Sequence, residues 1–110
     1  MARSSNEQRE YLVKMYPRLW EGFQAARGAI REAGPLDVKT QELINTAIYA
    51  TVGAEGGTRT HAGRAHEAGA TAAELRQAVL LSLGVGMGFS PTYRALDWVR
   101  EELEARGVQD

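Results

Sequence analysis

The sequence predicts an all-α protein, a single-domain bundle of about six helices that spans residues 1–110. Two observations predict this class. Apolar residues recur at spacings of three and four through most of the chain, whereas the strict alternation of a half-buried strand is almost absent. Glycine and proline clusters divide these stretches into segments of helical length. A chain of 110 residues is also the size of one ordinary domain.

The first two helices are predicted from one continuous apolar pattern that a proline interrupts. Pro17 cannot occupy the interior of a straight helix, because it lacks an N–H and its ring meets the preceding turn. We therefore expect a short helix that is capped by Ser5 or Asn6 and ends near Met15, and a second with Pro17 in its first turn that stops at residues 33–35. The apolar positions of this pattern are Tyr11, Leu12, Met15, Leu19, Trp20, Phe23 and Ile30.

The third and fourth helices flank a glycine-rich segment. Asp37 is a suitable cap for the third helix, since its side chain can accept from the first free backbone N–H groups. Residues 53–57 contain three glycines and predict a flexible joint, after which a fourth helix runs from about Thr58 to Ala68 and closes at Gly69. The apolar stripe predicted for the third helix consists of Leu43, Ile44, Ala47, Ile48, Thr51 and Val52.

The last two helices have clear start signals. Thr71 and Glu74 have the spacing of a capping box and begin the fifth helix. The glycine run at residues 84–88 follows a helix rather than a strand, so it predicts a turn that allows close helix approach and not a dinucleotide-binding loop. Ser90 and Pro91 open the final helix.

The composition of the chain excludes some classes of function and argues against others. The chain has no cysteine, so disulfides, thiolate metal sites and thiol nucleophiles are excluded. Thirteen basic and fourteen acidic residues give a net charge of −1, which argues against a nucleic-acid partner. No apolar run has the length of a membrane span, and the first residues do not look like a signal peptide. We therefore expect a cytoplasmic protein with no membrane partner.

Two ionisable residues stand out as candidates for chemistry. His61 follows the glycine-rich joint among small neighbours, although it could equally be a partly buried histidine that bonds a backbone carbonyl. Glu42 lies beside the apolar stripe on a face with Asn45, Thr46 and Tyr49, although it could be an ordinary solvated glutamate. His61 and His66 are five residues apart, about 140° around a helix, so they cannot share a metal ion and no metal site is expected.

Two segments resemble a known family. Gly34–Ile44 is similar to the entry of the carboxymuconolactone decarboxylase domain, and Glu67–Leu75 is also similar to that family. A segment centred on His61 lies between them in matching order. The resemblance covers about residues 15–100. It implies an all-α fold like that of the alkylhydroperoxidase AhpD-like proteins.

One branch of the family, the alkylhydroperoxidases, resembles this chain except at its reactive sulfurs. That branch has a glutamate, then a pair of cysteines with two residues between them, then a histidine. On this chain the glutamate is Glu42, the histidine is His61, and the cysteine positions fall on Ala54 and Gly57. Peroxide reduction of that kind needs one thiolate to attack and a second thiol to resolve the sulfenic acid. The chain is therefore not expected to be a thiol peroxidase.

The decarboxylase branch uses neither cysteine nor cofactor, and its resemblance implies a function for the remaining residues. His61 and Glu42 would be the catalytic pair of a cofactor-free acid–base enzyme, a lyase or isomerase acting on a small carbonyl or lactone acid. Arg59, Glu55 and Tyr49 are predicted to bind substrate. The alternative is a non-catalytic, oligomeric member of the family that binds a small molecule.

The resemblance also implies self-association as a homotrimer or a homohexamer. Large apolar side chains support this expectation, since a small domain has little core to bury them: Leu12, Trp20, Tyr93 and Trp98.

Overall fold

The computed structural model describes residues 4–109, apart from the side chain of Ser5. Over this range the chain forms six α-helices and no β-strand, which confirms the all-α prediction. No helix in this part of the chain is long and apolar enough to cross a membrane. The chain divides into two compact units, Met1–Pro35 and Leu36–Asp110. The helices are α1 (Ser5–Met15), α2 (Pro17–Glu32), α3 (Val38–Thr51), α4 (Glu55–Glu67), α5 (Ala72–Leu80) and α6 (Phe89–Ala105).

The first unit is a pair of helices that meet at Tyr16. The predicted break is confirmed, because Pro17 occupies the first position of α2. The predicted cap of α1 is wrong by one or two residues. The cap is Ser4, whose hydroxyl accepts from the Glu7 N–H at 3.2 Å while the Glu7 carboxylate accepts from the Ser4 N–H at 3.3 Å. This reciprocal capping box begins the helix one or two residues earlier than the sequence pattern indicated.

The second unit packs α3, α4, α5 and α6 around a core of small side chains. Half of the ten buried apolar residues are alanines, which let helices approach closely because nothing beyond Cβ separates them. The core consists of Ala50, Ala62, Ala65, Ala70, Leu75, Val79, Met87, Ala95, Val99 and Leu103.

A tight connection makes α3 and α4 an antiparallel pair. Gly53 has a positive φ of 77°, a left-handed conformation that glycine adopts without strain. Its N–H donates to the Ala50 carbonyl at 3.1 Å, and the Ala54 N–H donates to the Tyr49 carbonyl at 2.9 Å. This is a Schellman motif, which closes the end of α3 and turns the chain back along it.

The flexible joint predicted at residues 53–57 is shorter than expected. Helix α4 begins at Glu55, so only Gly53 and Ala54 of the predicted joint lie outside a helix, and Gly56 and Gly57 belong to the first turn of α4. Glycine lowers helix propensity by about 1 kcal/mol per residue. Packing of α4 against α3 outweighs that local preference, since tertiary burial supplies most helical stability.

Helix α3 buries a different face from the predicted one. Its buried residues are Glu42, Thr46 and Ala50, which pack towards α4. The predicted apolar stripe instead lines a cavity of about 540 Å³ between α3 and α5, and Ile48 and Val52 in it are more than half exposed. The small and polar face can approach the alanine-rich surface of α4 closely, and its polar side chains are hydrogen-bonded, Glu42 to His61 of α4 and Thr46 within α3.

The turn after α5 also approaches α3 closely. A Cβ on Gly86 would lie 2.7 Å from the Thr51 methyl carbon, so any other residue here would require Thr51 or the turn to shift. This confirms the prediction that the glycine run at residues 84–88 allows close approach. The Gly84 N–H donates to the Met87 carbonyl at 2.8 Å and closes the turn.

Helix caps hold two carboxylates in their charged form. Hydrogen bonds from Thr40, through its side chain and its backbone N–H, lower the pKa of Asp37 below its ordinary value of 3.8. The pKa of Glu74 lies below its ordinary 4.5 because it accepts from the Thr71 backbone N–H and from Lys39. The Glu74 and Thr71 groups form the predicted capping box of α5, which is confirmed.

These caps predict a loss of stability in acid. Because the folded chain binds protons at Asp37 and Glu74 less readily than the unfolded chain, their contribution is complete above pH values of 3.8 and 4.5. It disappears as the pH falls through the lower folded values. Urea unfolding across this range should show a smaller pH dependence for Glu74→Gln, which keeps a capping side chain but does not titrate. An identical pH dependence in the variant would contradict this assignment.

Candidate active site

The α3–α4 pair brings Glu42 and His61 into direct contact. His61 Nδ1 lies 2.5 Å from Glu42 Oε2, and the two side chains are 5% and 3% exposed. Glu42 lies in the second turn of α3, and His61 lies in the middle of α4. The antiparallel arrangement set by Gly53 lets the glutamate reach across the interface to the imidazole.

The chemistry of the two groups assigns the donor. An ionised carboxylate can only accept, so Nδ1–H donates to Glu42. Nε2 is then the ring nitrogen whose lone pair can take a proton. A carboxylate on Nδ1 fixes this tautomer and stabilises the imidazolium, which makes Nε2 a better base. Such an orientation is what a general base or acid requires.

Two buried threonines complete the polar interior of the α3–α4 interface. Thr46 and Thr58 are completely buried, and each hydroxyl donates to the carbonyl four residues earlier, of Glu42 and Ala54, at 2.7 Å. Their hydroxyl protons are therefore used within their own helices. Sequence inspection placed Thr46 on the face of Glu42.

Tyr49 lies against the histidine. Its ring is stacked on the imidazole, with 4.9 Å between the ring centroids and 16° between the planes. Tyr49 is 37% exposed, so it is the member of this cluster that reaches solvent. A Cβ on Gly57 would fall well inside contact distance of the Tyr49 ring, which therefore lies over the bare backbone of α4.

The structure places Arg59 and Glu55 in another cluster. Arg59 contacts the Glu55 carboxylate at 2.9 Å and the Glu101 carboxylate of α6 at 2.8 Å. Arg59 is two residues from His61, about 200° around α4, so the two side chains leave the helix in different directions. A substrate-binding role for Arg59 and Glu55 stays a prediction. The sequence carried no signal for Glu101, which is 42 residues from Arg59.

The two positions that correspond to the cysteine pair lie at the start of α4. Ala54 caps α4, and Gly57 lies in its first turn beneath the Tyr49 ring. Among residues 4–109, no group of three or more histidine, aspartate or glutamate side chains could hold a metal ion. The side chains that meet at this site provide an imidazole, a carboxylate and a phenol.

Comparison with known families agrees with the site. The model of the carboxymuconolactone decarboxylase family matches residues 17–101, which include both helices of the site. The chain belongs to this family. Comparisons with curated proteins and with solved structures gave no match. The matched residues extend from the start of α2 to most of α6.

The buried pair predicts a large difference between the two histidines. His61→Ala removes the imidazole that bonds a buried carboxylate, and breaking such a pair costs about 3–5 kcal/mol. His66→Ala is the matched control, because His66 is only partly buried at the end of α4 and should change stability by about 0.5 kcal/mol or less. Urea unfolding of both variants measures this. Equal losses would contradict the account of the pair.

Proposed function

We propose that this member of the carboxymuconolactone decarboxylase family is a cofactor-free acid–base enzyme acting on a small carbonyl or lactone acid. The observation that carries the proposal is the buried hydrogen bond between His61 Nδ1 and the Glu42 carboxylate. It presents Nε2 as the proton-transfer atom. Reactions that need only a proton and a conjugated substrate are within the reach of such a pair.

A decarboxylation at this site would use the imidazolium as the acid. The carbon–carbon bond to the substrate carboxylate breaks, its electron pair moves into a conjugated carbonyl to form an enolate, and carbon dioxide leaves. His61 Nε2 then gives its proton to the enolate carbon and is reprotonated from water. The Glu42 carboxylate stabilises the imidazolium before the transfer, and the positive ring stabilises the developing enolate.

An isomerisation would use the same atoms in a different order. Neutral Nε2 takes a proton from a carbon next to the carbonyl and returns it to another carbon of the enolate. Both reactions need a substrate that itself accepts electrons, such as an unsaturated lactone or a β-keto acid. We propose that the substrate reaches the imidazole beside Tyr49, which is the exposed member of the cluster.

The experiment is a turnover screen of unsaturated lactone acids and β-keto acids, with carbon dioxide release and proton NMR as readouts. We expect wild-type turnover of at least one compound, and a loss in kcat of about 100- to 10,000-fold for His61→Asn, the range that general acid–base catalysis contributes. Glu42→Gln should also lower kcat, because it no longer stabilises the imidazolium. His66→Asn is the control and should retain wild-type kcat.

The screen also separates the enzyme from a binding protein. Thermal-shift measurements on the same compounds report binding without turnover, since a ligand of the folded state raises the unfolding temperature. A compound that stabilises wild type and His61→Asn alike, with no turnover by either, would replace the proposal with the non-catalytic binding alternative.

We also propose that the chain self-associates, as a homotrimer or a homohexamer. Two exposed apolar surfaces support this. Helix α2 has no buried residue, and Leu19, Phe23 and Ile30 on it are more than half exposed. The α3–α5 cavity is the second surface. Of the side chains expected at an interface, Tyr93 is 60% exposed, whereas Trp98 packs against the core of the second unit. Large exposed apolar patches typically mark interfaces.

Light scattering coupled to gel filtration tests the assembly. The expected mass is three or six times the chain mass of 12.0 kDa. Phe23→Asp places a charge on the exposed face of α2 and should lower that mass, whereas Gln24→Asp is the control one residue along the same helix. A mass of one chain at every concentration would contradict the proposal.

A further inference from the structure

The stack between Tyr49 and His61 depends on a residue one helical turn away. Gly57 precedes His61 by four positions on α4, so the two share a face of the helix. The Tyr49 ring lies over both of them. A Cβ at position 57 would clash with Cγ, Cδ1 and Cε1 of the ring. Because the clash includes Cγ, the atom at the base of the ring, a small tilt of the ring would not relieve it.

The hydrogen bond at Nδ1 does not by itself fix the plane of the imidazole. The Glu42 carboxylate holds Nδ1, and that bond alone leaves the ring able to tilt about the contact. The direction of the Nε2 lone pair would change with such a tilt. A second aromatic ring at 4.9 Å and nearly parallel restricts the plane of the imidazole, because an offset stack is the preferred geometry of two flat rings.

Helix propensity does not account for the glycine at position 57. Glycine is a poor helix former, and alanine would be favoured there by local preference. The φ of Gly57 is not in the positive range, so backbone conformation does not require glycine either. The ring of Tyr49 accounts for it, since the space that a side chain would take is filled by that ring.

We propose that Tyr49 is a positioning residue that fixes the plane of the His61 imidazole, and that Gly57 is the residue that admits it. The stack stands on the geometry alone. Its consequence for proton transfer rests on the proposed function of His61 as the base. The contact is made by the ring face, so the hydroxyl of Tyr49 is not needed for it.

Proton NMR of the histidine ring tests the stack directly. The Cε1–H and Cδ2–H signals of His61 should lie upfield of those of His66, because they face an aromatic ring. Tyr49→Phe should keep this upfield shift because it keeps the aromatic ring. Tyr49→Leu should lose it, because leucine fills apolar space but has no aromatic ring. The His61 Nδ1–H should exchange with water faster in Tyr49→Leu than in wild type, and at the wild-type rate in Tyr49→Phe.

Two glycine variants complete the test. Gly57→Ala should displace the ring and remove the upfield shift, and in the Tyr49→Leu background it should change the His61 signals no further. Gly22→Ala is the control, a helical glycine with open space around its Cα, and should leave the His61 signals unchanged. An upfield shift that survives Gly57→Ala, or Nδ1–H exchange that is equal in the Leu and Phe variants, would overturn the proposal.

These outcomes are independent of the substrate screen. If the screen finds no turnover but the NMR pattern holds, the positioning stack stands and the proposed reaction fails. If turnover is found and the stack is lost without any change in Nδ1–H exchange, the reaction stands and the positioning role fails.

Discussion

The buried hydrogen bond between His61 and Glu42 is the constraint on which the arrangement of the second unit depends. An ionisable pair in a protein interior costs free energy unless each group finds its partner in good geometry. Helices α3 and α4 must therefore keep one register relative to each other. Three features of the sequence maintain that register: the Schellman motif at Gly53, the alanine-rich contact surface, and threonine hydroxyls that donate to carbonyls of their own helices.

Burying a polar face of α3 has a consequence elsewhere in the unit. A helix presents a limited surface to its neighbours, so the face with Glu42, Thr46 and Ala50 takes the place that the apolar stripe would normally hold. The stripe is left along an open cavity between α3 and α5. The candidate site and the exposed apolar surface thus both follow from which face of α3 is buried. At the other edge of the interface, the bare backbone of Gly57 gives the space that the Tyr49 ring fills.

Much of the fold could be predicted from the sequence because its signals are local. Asp37 and the Thr71–Glu74 capping box mark helix ends through hydrogen bonds that span only a few residues, and Pro17 marks one because it lacks the N–H that a helix interior needs. The buried face of α3 could not be predicted, because hydrophobic periodicity reports which residues avoid water and not which surface the neighbouring helix fits. The candidate site was likewise predictable only in part. The pairing of Glu42 and His61 was implied by the family resemblance, but the partner of Arg59 on α6 lies 42 residues away and left no local trace.

The tautomer of His61 tests the account most directly. Nitrogen-15 NMR of the imidazole at neutral pH separates a protonated ring nitrogen from an unprotonated one. The account predicts that Nδ1 carries the proton and Nε2 does not in the neutral ring, because Nδ1–H donates to the Glu42 carboxylate. A neutral ring protonated on Nε2 would contradict it, since the atom assigned to proton transfer would then have no lone pair to use.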